Sequence, residues 1–189
     1  MSKKSKAFTL LELVVVLAII SLLAAIILVN YRGGEKQSAL LRSTHRLAQD
    51  LRRAEEMAIS SKSFYNAFPK GGYGIYFTED SNSYILFADC NNNKIYDGGI
   101  YVCPDCTGGS CIENVQQEKI EELSLEEGIK IKELFPLSLE NSLSITFIPP
   151  DPTVTIAGGD ETVAVITLCL KDAPTITRTI TVNKAGLID

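Results

Sequence analysis

Residues 8–29 read FTLLELVVVLAIISLLAAIILV. The run is roughly 22 residues long, and an α-helix needs roughly 20 apolar residues to cross the hydrocarbon core of a bilayer. Only Thr9, Glu12 and Ser21 interrupt it with polar side chains. Lys3, Lys4 and Lys6 come just before it, which by the positive-inside tendency places the N-terminus in the cytoplasm. Glu12 is the anomaly. A carboxylate inside an apolar span costs on the order of 2.5 kcal/mol or more and calls for a partner or a function.

Three readings compete. A cleaved secretory signal has a short apolar region followed by a small-residue cut site; Ala24 and Ala25 mimic one, but the apolar run continues through Val29. A plain membrane anchor accounts for the lysines and the hydrophobicity and leaves Glu12 unexplained. The third reading uses every feature: a short basic leader, a small residue at Ala7, then Phe8-Thr9-Leu10-Leu11-Glu12 and an unbroken apolar helix. This order resembles the prepilin signal of type IV pilins and pseudopilins. The resemblance implies that a prepilin peptidase cuts on the cytoplasmic side between Ala7 and Phe8 and that the new Phe8 amine is N-methylated. Glu12 then becomes residue five of the mature chain. It also implies that the Glu12 charge is neutralised by the methylated amine of a neighbouring subunit. The family prefers Gly where this chain has Ala7, a small-for-small departure.

Length and composition suit one anchor plus one modest globular domain, large enough for a single core. The formal charge of −5 becomes more acidic once the leader lysines are lost, which argues against a nucleic-acid partner. After Asn30-Tyr31-Arg32 at the membrane exit, Gly33-Gly34 permits a bend or a local break. Beyond it, Leu40, Thr44, Leu47, Leu51, Ala54 and Ala58 recur at alternating spacings of four and three, one face of an amphipathic helix reaching about residue 63.

The period then changes. Strand-like segments fall at 72–77, 84–88, 118–123, 129–135, 144–148, 163–170 and 175–182, with Asp80-Ser81-Asn82-Ser83, Pro149-Pro150-Asp151-Pro152 and Gly158-Gly159-Asp160 as punctuation. Strands arriving after one helix predict an α+β fold in which the long N-terminal helix packs on an antiparallel, β-sandwich-like domain. The expected organisation is a cytoplasmic leader (1–7), a transmembrane and assembly helix (8–30), its amphipathic half (31–63) and a β-rich extracytoplasmic domain (64–189). The order of GYGIYF, YILFADCNNNKIYD, ITFIPP, ITLCL and the closing strand ending at Gly186 resembles minor pseudopilins and pilins of the GspH/FimT type. The departure from that pattern is a cysteine-bearing insertion at 89–117.

In that insertion Asp89, Asn91, Asn93 and Asp97, with the Ile95 carbonyl, match oxygen positions of a calcium loop. Lys94 stands where such a loop needs its turn glycine, and Ile100 replaces the bidentate acid, so an asparagine-rich turn is the favoured reading. Cys90, Cys103, Cys106 and Cys111 are candidates for a disulfide, ahead of a zinc tetrathiolate and of free or redox thiols. Cys169, on a candidate core strand, reads as a small buried hydrophobe.

No catalytic cluster emerges. The single histidine, His45, lies on the amphipathic helix, and Glu121-Glu122 with Glu126-Glu127 read as a solvated acidic stretch. The expectation is therefore a structural subunit without a resident cofactor. It sits single-pass in the bacterial inner membrane with its domain outside and is drawn into a filament. Its partners are other pilin or pseudopilin subunits, prepilin peptidase, the inner-membrane assembly platform and the bilayer. The competing class is a minor pilin that binds DNA or a surface, which needs a basic exposed patch.

Overall fold

A computed structural model describes residues 9–64, 68–96, 98, 100–101, 116–137, 141–149, 153–156, 159 and 161–189. The chain divides into two compact units, Met1–Ser38 and Ala39–Asp189. Helix α1 (Leu10–Ile59) begins in the first unit and ends in the second. Its opening turns are dense in β-branched Val and Ile, which have middling helix propensity in water. In a hydrocarbon environment the helix is nonetheless one of the few forms that satisfies every backbone polar group internally. Ser21 adds to this by donating its hydroxyl to the Leu17 carbonyl at 2.8 Å, so its polarity is spent within the helix. The helix continues through Gly33-Gly34 without the break those glycines permit. It stops at Ile59, short of the expected 63, with Ser61 in the left-handed region at φ 46°.

In the second unit the periodic face of α1 is buried as its spacing predicts. Leu40, Leu47, Leu51, Ala54 and Ala58 are shielded from solvent, joined by Ser43 and Met57, with Thr44 half-buried. The apolar ones share one cluster with the strands that follow. The first sheet has five strands: β1 (Gly72–Thr78), β2 (Ser83–Asp89), β5 (Lys119–Ser124), β7 (Ser142–Ile148) and β8 (Thr153–Ile156). Its order is β5-β2-β1-β7-β8 and all its pairings are antiparallel. The second contains β6 (Ile129–Phe135), β9 (Val163–Leu170) and β10 (Ala173–Asn183), in the antiparallel order β10-β9-β6. A short ladder joins β3 (Ile100–Tyr101) to β4 (Gln116–Gln117) within the insertion. The architecture is α+β and pilin-like.

Alternation divides the five-stranded sheet into two faces. Tyr73, Ile75, Phe77, Tyr84, Leu86, Leu143, Ile145 and Phe147 enter the cluster shared with α1. Tyr84 ties the helix to this face by donating its hydroxyl to Asp50 Oδ2 at 2.6 Å, and burial holds that phenol far above its ordinary pKa. The opposite face carries Gly74, Tyr76, Phe87 and Thr146, and it is covered by the loop after β2. The Tyr96 ring lies 5.0 Å from Tyr76 and 5.5 Å from Phe87, and Thr146 Oγ1 donates to the Lys94 carbonyl at 3.0 Å. Gly72, at φ 92°, sits where a Cβ would lie 1.9 Å from the Phe147 carbonyl, so the sheet closes only with glycine there.

Ion pairs decorate the helix–sheet seam. Arg42 makes a two-pronged contact with Glu126 at 2.9 and 2.7 Å, and Arg53 reaches Glu121 at 3.0 Å. Leu51→Ala is expected to destabilise the second unit by about 2–5 kcal/mol through the cavity it leaves. Arg42→Ala removes an exposed pair and should cost less than about 1 kcal/mol. Denaturant unfolding of both variants measures the ordering, and equal losses would contradict it.

Candidate functional site

Polar chemistry concentrates in two places, the first turn of α1 and the loop that follows β2. At the first, Thr9 is the helix cap: its carbonyl accepts the Leu13 N–H at 3.2 Å and its hydroxyl oxygen accepts the Glu12 N–H at 3.2 Å. Thr9 followed three residues later by Glu12 is the pattern of a capping box, a local signal that marks Thr9 as more than a polar interruption. Glu12 thereby stands in the first helical turn, where the helix dipole favours a negative charge. Its carboxylate has no partner among the described residues. The 18-residue span Leu10–Ile27 has a mean hydropathy of 3.0 and none of it is buried within the chain. Ala7 and Phe8 lie outside the described residues.

At the second place, Asp89 is fully buried at the end of β2. Its Oδ1 accepts the Asn92 N–H at 2.7 Å and the Asn93 N–H at 3.3 Å, and Oδ2 accepts the Lys94 N–H at 2.8 Å. Asn91 Oδ1 accepts the Asn93 N–H at 3.0 Å and Asn93 Oδ1 accepts the Ile95 N–H at 2.9 Å. These oxygens close the loop on its own amides. Asn92 and Lys94 take the left-handed conformation at φ 64° and 68°, so Lys94 makes the turn for which a calcium loop uses glycine. Asp97, the remaining calcium candidate, lies outside the described residues. Among the described residues no three His, Cys, Asp or Glu side chains are grouped to hold a metal ion.

Burial raises the Asp89 pKa above the usual carboxylate value, and the three amides pull it back only in part. The seat for this carboxylate is Gly71, where a Cβ would lie 1.8 Å from Asp89 Oδ2. Gly71 and Tyr96 escape a reading of the sequence because their roles exist only once β1, β2 and β7 are assembled. Cys90 follows Asp89, is buried, and donates its N–H to Glu118 Oε1 at 3.3 Å. Cys103, Cys106 and Cys111 lie outside the described residues. Cys169 is free and buried on β9.

The other residues singled out from the sequence do not converge. His45 is exposed on α1. Glu121, Glu122 and Glu126 are engaged by Arg53, Lys119 and Arg42 respectively, and Glu127 is exposed. The hydrogen bond from Lys119 holds Glu122 below the usual carboxylate range, and the one from Arg42 does the same for Glu126. Carboxylates kept ionised in this way are poor proton donors.

Residues 2–28 match the family described as the prokaryotic N-terminal methylation motif. No curated protein and no solved structure matches the chain. The motif supports a type IV pilin or pseudopilin and points to a structural subunit rather than an enzyme. It implies processing by prepilin peptidase and assembly with other pilins, and the apolar helix is consistent with an inner-membrane anchor.

Asp89→Asn keeps one acceptor but turns an amide donor toward the Lys94 N–H, an expected loss of about 1–3 kcal/mol. An acid with a raised folded pKa holds its proton longer in the fold. Its contribution is therefore largest below the unfolded value and is lost as pH rises through the folded one. The stability margin of the native chain over Asp89→Asn should accordingly shrink with rising pH across that window. Denaturation curves at several pH values read this directly.

Proposed function

We propose that this chain is a minor structural subunit of the GspH/FimT type, built into a type II secretion pseudopilus or a type IV pilus. The observation that carries the proposal is Glu12: a carboxylate without an intrachain partner among the described residues, in the first turn of an unburied apolar helix that bears the methylation motif.

Prepilin peptidase cuts between Ala7 and Phe8 at the cytoplasmic face, and methylation leaves the Phe8 nitrogen as a cationic secondary amine. In the filament that ammonium lies against Glu12 of a neighbouring copy. Removing one partner of a buried pair leaves an uncompensated charge, an outcome worth about 3–5 kcal/mol. The pair therefore selects one axial register among the many that apolar packing alone would allow. The anchor holds the chain in the inner membrane before assembly, with the β-rich domain on the extracytoplasmic side.

That placement permits a disulfide in the insertion. Cys90 is buried at the end of β2, where the cysteine-bearing insertion begins, while Cys169 is free on β9, which supports pairing of Cys90 with Cys103, Cys106 or Cys111. The bond would close the insertion onto the end of β2 and hold the loop that covers the second face of the sheet.

Mass spectrometry of chain purified from a host with prepilin peptidase should give a mature species starting at Phe8 and carrying one methyl group. An intact leader would overturn the processing step. Glu12→Ala should leave the chain in the membrane and abolish its incorporation into sheared filaments. Normal co-assembly would refute the pairing. Thiol titration of unreduced, denatured protein should find fewer free thiols than the five cysteines provide, with Cys90 among the protected ones.

A further inference from the structure

Strand β10 is an edge strand unlike the others. The outer edge of β6 is occupied by the β1–β2 turn, through the Asp80 N–H to the Ile131 carbonyl at 2.9 Å and the Ile131 N–H to the Ser81 carbonyl at 2.8 Å. β5 carries Lys119, Glu121 and Glu122, charges that discourage edge pairing, and β8 has only four residues. β10 is 11 residues long and Arg178 is its only charge.

The outer edge of β10 is already used for strand pairing at one end. Thr181 and Asp189 exchange both backbone hydrogen bonds, at 2.8 and 3.0 Å, and the Asn183 N–H reaches the Leu187 carbonyl at 3.1 Å. Thr181 and Asn183 therefore turn their backbone groups outward. The register with β9 is regular from Thr177 to Asn183, so Thr177 and Thr179 do the same. No segment among the described residues pairs with them on that side. Before them, the register shift between Ala173 and Thr177 leaves Pro174, Thr175 and Ile176 unpaired with β9, and all three are exposed.

We infer that this free stretch of β10 is an interface for a second copy of the same chain, paired antiparallel about Thr177. The choice of a like partner comes from the self-complementarity of Thr175-Ile176-Thr177-Arg178-Thr179. Folded back on itself about Thr177, the run sets Thr175 opposite Thr179 and Ile176 opposite Arg178. Threonine–threonine pairs and an aliphatic stem over isoleucine are favourable cross-strand neighbours. A register centred on Arg178 would set two guanidinium groups directly opposite, which is unfavourable. A register centred on Thr179 would require Thr181, whose outward groups Asp189 already holds. Of these three centres Thr177 avoids both conflicts, and the two-fold contact joins two three-stranded sheets into one of six. This pairing is independent of the filament reading, because it is measured on the membrane-held chain before processing.

The test uses the full chain in membranes of a host lacking prepilin peptidase, oxidised mildly and compared with wild type for background from the native cysteines. At a two-fold centre a single Thr177→Cys lies opposite its own copy, within disulfide reach. A covalent dimer several-fold above wild type is expected from Thr177→Cys and not from Arg178→Cys. Adding Thr179→Pro to Thr177→Cys removes an outward N–H that β9 does not use, and should abolish the dimer while leaving protease resistance intact. The proposal is overturned if Thr177→Cys stays at the wild-type background. It is overturned equally if Arg178→Cys cross-links as well, or if the proline leaves cross-linking unchanged.

Discussion

Nothing among the described residues buries Leu10–Ile27, and the rest of the molecule has to be understood around that fact. Apolar surface left in water costs about 25 cal/mol per Å², so this span favours a non-aqueous surrounding, which is consistent with an inner-membrane anchor. The same α1 solves the opposite problem after Ala39. There its apolar side chains narrow to one stripe, which shares a single buried cluster with residues of both sheets. One helix thus carries two kinds of sequence, apolar all round and then amphipathic, because it meets two kinds of solvent.

The handling of polar groups follows the same division. Ser21 returns its hydroxyl to Leu17, Tyr84 meets Asp50, and Asp89 gathers three amides of its own loop. In each case the group that would be costly to bury is answered a few residues away or across the sheet. Glu12 is answered locally only at its backbone, by the Thr9 hydroxyl. Its carboxylate has no partner among the described residues, and it lies within the methylation motif.

Much of this was legible before any fold was known, for reasons that differ by element. β6 and β9 have the bounds their alternation and apolar runs predict, because turn residues fence both ends. β8 carries little sequence signal because Thr153–Ile156 is only four residues long and sits among Pro and Gly punctuation, and β3 and β4 carry none because two-residue ladders have no periodicity. Gly33-Gly34 permits a bend or a local break, yet intrinsic propensity amounts to about 1 kcal/mol per glycine and the helix continues. The Asn-rich loop shows the other limit. Its alternating oxygens are visible in the sequence, but whether they face a cation or the loop's own amides depends on Gly71 and Tyr96, which are brought there by tertiary structure.

The corner where the β1–β2 turn meets β6 has a mechanical meaning. Four contacts gather there: the two backbone bonds between Asp80, Ser81 and Ile131, the Leu134 N–H to Glu79 Oε1 at 3.1 Å, and the Lys130–Asp80 ion pair at 2.6 Å. They stitch the five-stranded sheet to the three-stranded one apart from the apolar core between them. Strain imposed on one sheet is shared with the other through several bonds loaded together, so the domain would resist being pried open along that seam.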